Sequence, residues 1–159
     1  MRKTYTKQEM FNKVYIHFIE NKSPLSFNKK NGACSYRGEG TELAGGTVCA
    51  AGLLIDDQDY LPSMEGKHFW IFSSRFSYIK NEDVNFIGEL QDAHDTAASR
   101  LFDDDDFDPY KFMANRLRNL AKKELLYVPG AVFLKYPIDL NLWKPGKFLT
   151  RISRRWRAS

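Results

Sequence analysis

Apolar side chains recur every three or four positions in three stretches of this chain, the spacing of a helix with one buried face. The first stretch carries Phe11, Val14, Tyr15 and Phe18 on that face. Thr6-Lys7-Gln8-Glu9 in front of it is a capping box, and Tyr5 with Met10 occupies the hydrophobic-staple positions, so a helix is predicted to start near Lys7. Residues 21–24, closing on Pro24, stop it. A second helix fits residues 82–101, with Ile87, Leu90, His94, Ala97, Ala98 and Leu101 along one side. A third fits 109–126 and buries Met113, Leu117, Leu120, Ala121 and Leu125, with Asp108 as N-cap and Pro109 at the first helical position.

Between these stretches the period is lost. Residues 25–46 are rich in Gly, Ser, Asn and Lys, and one extended piece is predicted at Cys34-Ser35-Tyr36-Arg37 before Gly38. Residues 48–55 form a short apolar run whose small Ala50, Ala51 and Gly52 favour a buried helix with its N-terminus near Cys49. The aromatic residues 68–72 read as extended, and residues 132–136 read as a strand between Pro129-Gly130 and Pro137. The predicted architecture is α+β: a mainly helical single domain over 1–143 with a small antiparallel sheet, followed by a basic amphipathic C-terminal extension over 144–159.

Composition narrows the class. With 159 residues, 43% apolar and 28% charged, the chain fits one globular domain and excludes disorder, collagen and a cysteine-stapled miniprotein. The longest mainly apolar stretch without a charge, residues 43–55, falls short of the ~20 residues a membrane helix needs. The N-terminal segment is broken by Glu9, Lys13 and His17 and holds no apolar signal region. A cytoplasmic protein without a transmembrane segment is expected.

The net charge of +4 conceals segregation along the chain. Residues 1–37 hold eight basic and two acidic side chains, 38–110 hold four and sixteen, and 111–159 hold twelve and two. Basic ends folding over an acidic middle is the first reading; a polar molecule offering one basic and one acidic face to partners is the second. The last sixteen residues carry six Lys or Arg and no acid, with Phe148, Leu149, Ile152 and Trp156 at helical spacing among Arg151, Arg154, Arg155 and Arg157. They could dock on the core or contact nucleic acid, an anionic surface or an acidic partner. The acidic run 103–108 does not make a calcium loop, because its sixth and twelfth positions hold Asp108 and Ala114 instead of Gly and Glu.

Few residues could carry chemistry. Cys34 and Cys49 belong to no close metal-binding pair, and inert buried thiols are the plain reading. His17 is expected in solvent and His68 beside the aromatic segment, whereas His94 lies on the buried face and needs partners for its ring nitrogens. The sharper reading makes Cys49 a nucleophile at a helix N-terminus with His94 as its base. Asp95 is not expected to orient His94, because adjacent helical residues point ~100° apart; it should face Gln91 or Ser99, leaving Glu65 or Asp57 to orient the ring. A metal reading gathers Cys34, Cys49 and His94 with a carboxylate or water, and ranks lower for want of a C-x-x-C knuckle. Arg37, next to Tyr36, is either a surface charge or a fork for an anionic group. No cofactor is expected.

Cys34-Ser35-Tyr36-Arg37-Gly38, then Cys49-Ala50-x-Gly52-x-Leu54-Ile55-x-Asp57-x-x-Tyr60, then Glu65-Gly66, then Leu90-Gln91-x-x-His94-Asp95, resembles small uncharacterised proteins encoded by tailed bacteriophages and prophages. The resemblance spans about residues 6–126 and implies an accessory protein in the host cytoplasm, without implying an activity. Residues 38–47 are longer than the usual turn of those proteins, and the basic extension after Leu126 has no counterpart in them. Three functions follow, in order: binding and modulating a host component of antiviral defence or the nucleic-acid machinery; thiol-dependent hydrolysis or transfer through Cys49 and His94, with Arg37 holding an anionic group; and nucleic-acid binding by Trp156, Phe148 and the tail arginines.

Overall fold

A computed structural model describes residues 3–27, 34–38, 47–101, 104 and 106–130. The first helix, α1 (Lys7–Tyr15), begins at the predicted capping box: the Thr6 hydroxyl accepts from the Glu9 N–H, and the Glu9 carboxylate accepts from the Thr6 N–H. Met10, Phe11, Val14 and Tyr15 form its buried face. The helix then widens into a π-helical turn, Ile16–Glu20, which brings Phe18 into the core and leaves His17 half-buried instead of solvated. Widened turns of this kind shift the helical face by one residue.

Cys49 caps α2 (Ala50–Leu54) by accepting from the Gly52 N–H through its sulfur at 3.3 Å. The small residues of α2 are required by what lies against it. A Cβ on Gly52 would sit 2.2 Å from the Tyr36 carbonyl oxygen, so only glycine permits that approach.

After α2 the chain runs through consecutive 3₁₀ turns at Asp57–Asp59, Pro62–Met64, Phe69–Ile71, Ser73–Arg75 and Asn81–Asp83. In them Phe69, Phe72 and Phe76 turn inward at intervals of three and four and pack ring against ring with Tyr78 and Tyr36. Two long helices follow, α3 (Val84–Arg100) and α4 (Pro109–Lys123), the second capped by Asp108 as predicted. α3 is central, packing against α4 and α2 and touching α1. Leu101 and Leu125, expected in the core, are exposed.

The expected antiparallel sheet is not there. Among the described residues the fold is helical with no strand, and one isolated parallel bridge joins Leu25 to Val48. The physical reason differs at each place. The extended piece expected at 34–37 bends at Tyr36 and Arg37, whose N–H groups are held by the Glu65 carboxylate, which leaves them no need of a neighbouring strand. Residues 68–72 coil into a 3₁₀ turn because burying every third ring suits the core better than alternation. The strand expected at 132–136 and the extension 144–159 lie outside the described residues. No helix among the described residues is long and apolar enough to cross a membrane.

Candidate functional site

Three segments converge where α3 passes α2 and the 34–38 stretch. Gln91 and Asp95, one turn apart on α3, form a polar ladder: the Gln91 amide oxygen accepts from the Ala51 N–H at 2.7 Å, and its amide nitrogen donates to Asp95 Oδ1. The same oxygen lies 2.9 Å from His94 Nδ1. The expectation that Asp95 cannot reach His94 is therefore corrected. Both are short side chains, and leaning toward one another across one helical step closes the gap that a fixed 100° separation would leave.

His94 is 0% exposed and both its nitrogens are engaged. The Ser26 N–H donates to Nε2 at 3.3 Å, so hydrogen-bond geometry assigns the proton to Nδ1, which donates to Asp95. Phe18, delivered by the π-helical turn, packs against the ring with centroids 4.9 Å apart. Neither Glu65 nor Asp57 orients it.

The two cysteines occupy different environments. Cys49 is buried beneath its cap, and burial, reinforced by the nearby Asp95 and Glu65 carboxylates, pushes its thiol up to about 12 against the opposing bonds from the Gly52 N–H and Gln91. Cys34 is half-buried, and burial together with the Asp95 charge raises its thiol further. Low-pKa thiolates mark reactive cysteines, and neither sulfur has that character. His94 has no free lone pair with which to draw the proton from Cys49. Cys34, His94 and Asp95 are the residues brought together, with one ligand atom from each within 4.8 Å of the others. Cys49 stands outside that group.

Arg37 and Glu65 build the frame around the site. Arg37 donates to the carbonyl oxygens of Gly52 and Ile55 at the end of α2 and to Asp57, and its guanidinium lies 5.4 Å from the centre of the Tyr60 ring. The sequence reads Arg37 as either a surface charge pairing with the acidic middle or a fork for an anionic group; the described contacts are with the protein's own carbonyls and with Asp57 of that middle. Glu65 accepts from the N–H groups of Tyr36 and Arg37 and from the Tyr60 hydroxyl. Tyr36 is buried and donates its hydroxyl to the Lys67 carbonyl. Asp57 itself is 99% exposed.

Above the cluster lies an open cleft of about 880 Å³, lined by Cys34, Gln91 and Asp95 at its floor and by Lys67, Trp70 and Arg100 among others at its walls. Gly88 leaves open space along α3 there. Trp70, stacked on His68 with ring centres 6.4 Å apart, is 66% exposed. Sequence reasoning missed Ser26 and Trp70. Nothing local in the chain marks Ser26, whereas Trp70 is betrayed by an inward set at 69, 72 and 76 that excludes it. Arg154, Arg155, Trp156 and Arg157 lie outside the described residues.

Comparison of the chain with family models, with curated proteins and with solved structures gives no match.

Proposed function

We propose that this protein is a binding module that recognises and modulates a host protein, in the cytoplasmic phage setting implied by the sequence resemblance, and that the cleft along α3 is its recognition surface. One observation carries the reading. The polar residues singled out in the described part of the sequence are engaged in internal hydrogen bonds, while a tryptophan stands two-thirds exposed beside an open cleft. Exposed aromatic anchors at a cleft are the usual centres of binding energy. Catalysis by Cys49 and His94 would need a thiolate and a free base, and burial opposes the first while the Ser26 and Asp95 bonds occupy the second.

Quantitative affinity capture from infected host cells tests the proposal with four chains: wild type, Trp70→Ala, Cys49→Ser and a chain ending at Lys144. A specific host protein should be held equally by wild type and Cys49→Ser and lost about tenfold or more with Trp70→Ala. Capture that survives Trp70→Ala but fails in the shortened chain would move recognition to the C-terminal segment. Loss with Cys49→Ser alone would return the thiol chemistry.

A further inference from the structure

The floor of the cleft brings sulfur, nitrogen and oxygen donors to one point, and we propose that Cys34, His94 and Asp95 bind a zinc-class divalent cation, with its fourth position open to the cleft. The three ligand atoms lie within 4.8 Å of one another. At the tetrahedral angle, two bonds to zinc span roughly 3.3–3.6 Å, so side-chain movements on the order of 1 Å complete the set. A mixed thiolate, imidazole and carboxylate set suits zinc and disfavours magnesium and calcium, which take oxygen.

The surroundings suit such a site except at His94 Nε2, which faces the Ser26 N–H. Gln91 holds Asp95 from behind, as outer partners of metal-bound carboxylates do. The 34–38 segment that carries Cys34 is fixed by Glu65 and by the Ser26 hydroxyl, which donates to the Ser35 carbonyl at 2.9 Å. His94 is buried, the Asp95 side chain is 42% exposed and Cys34 is half-buried, so an ion reaches the site from the cleft and keeps water at the outer position. Among the described residues no Lys or Arg forms an ion pair with Asp95.

The proton balance is definite. Binding forms bonds from the metal to Cys34 Sγ, to His94 Nδ1 and to an Asp95 oxygen. The Cys34 thiol proton leaves to solvent. The Nδ1 proton is also displaced, and the ring takes up a proton at Nε2, so one proton is released per ion. The Ser26 N–H then faces an N–H and gives up its 3.3 Å bond. Ser26 therefore reports on occupancy of this site, and metal held by a surface histidine leaves it unmoved.

The test uses the full chain, freed of metal and titrated with cobalt(II) as a spectroscopic stand-in for zinc. One ion per chain should bind with tetrahedral ligand-field bands and a thiolate charge-transfer band, all removed by added zinc. Cys34→Ser should abolish the charge-transfer band and weaken binding tenfold or more, Asp95→Asn should weaken it, and Cys49→Ser should leave the band intact. Zinc titration should shift the Ser26 amide resonance and release one proton per ion. An absent thiolate band in wild type, a band that persists in Cys34→Ser, or one lost in Cys49→Ser overturns the proposal. Should Cys34→Ser fail to fold, an unmoved Ser26 amide in zinc-titrated wild type overturns it equally. None of these readouts depends on capture of a host protein.

Discussion

Glu65 shows how much of this fold hangs on single side chains. Its carboxylate accepts from the Tyr36 N–H at 3.0 Å, the Arg37 N–H at 2.9 Å and the Tyr60 hydroxyl at 2.8 Å. It thus does for residues 36–37 what a partner strand does elsewhere, and it fixes the backbone that Gly52 must approach. Arg37, positioned by the same carboxylate, then closes the end of α2. Replacing Glu65 with Gln keeps the shape but removes the charge and sets an NH₂ group against a backbone N–H. Hydrogen bonds to charged groups contribute about 1.5–3 kcal/mol, so Glu65→Gln should lower the urea unfolding free energy by about 2 kcal/mol. A change within about 0.5 kcal/mol, ordinary for an uninvolved surface position, would show that the frame does not depend on this anchor.

At the scale of elements, the end of α4 shows a device usually built with glycine. The Leu126 N–H donates to the Ala121 carbonyl at 2.8 Å and the Leu125 N–H to the Lys122 carbonyl at 3.4 Å, the paired closure of a Schellman motif. The second of these donors, Leu125, takes a φ of +55° and is 93% exposed. A branched side chain in the left-handed region is strained by roughly 1–2 kcal/mol, and this one gains almost no burial in return. Leu125→Gly should therefore raise stability by about 1 kcal/mol, seen as a higher thermal midpoint; an unchanged or lower midpoint would mean that the leucine is held by contacts that offset its strain. The sequence pattern places Leu125 on the buried face because periodicity carries on past Lys123, and only the chain reversal removes it. Elements with local start signals were legible: the Thr6 capping box, the Asp108-Pro109 start and the small residues after Cys49 each act within four positions. The sheet was misread because the partners of residues 34–37 lie on one carboxylate nearly thirty positions away, and no period encodes that. The site was half legible. His94 as a buried imidazole needing partners follows from its face of α3, but Ser26 as one of those partners, and Cys34 rather than Cys49 as its neighbour, depend on how segments without periodicity are laid down.

For the whole molecule, the segregated charges meet in part as the first reading of the sequence expects. Arg116 and Lys123 of α4, in the basic end, pair with Asp92 and Glu89 of α3, in the acidic middle, whereas Lys7 pairs with Glu124 across 117 positions with both residues in the basic end segments. The two α3–α4 pairs are largely exposed, and exposed pairs contribute little, so salt should move the stability only slightly. Protonation of buried groups should matter more. Burial pushes the Cys49 thiol from 9.0 to about 12 and the Tyr78 hydroxyl from 10.0 to about 12, which means that folding favours their neutral forms. A group whose folded value is raised contributes stability that is complete below its unfolded value and is lost as pH climbs toward the folded one. The urea midpoint should therefore hold steady up to about pH 9 and fall between there and pH 12. The same burial sets the reactivity of Cys49. At neutral pH its alkylation by iodoacetamide should follow the fraction of unfolded molecules, rising in step with added urea, because the thiolate forms only once the sulfur leaves its buried position. Rapid, stoichiometric alkylation of Cys49 in folded protein at neutral pH would mean that the core around α2 opens locally, and would restore to that sulfur the nucleophilic role that its burial opposes.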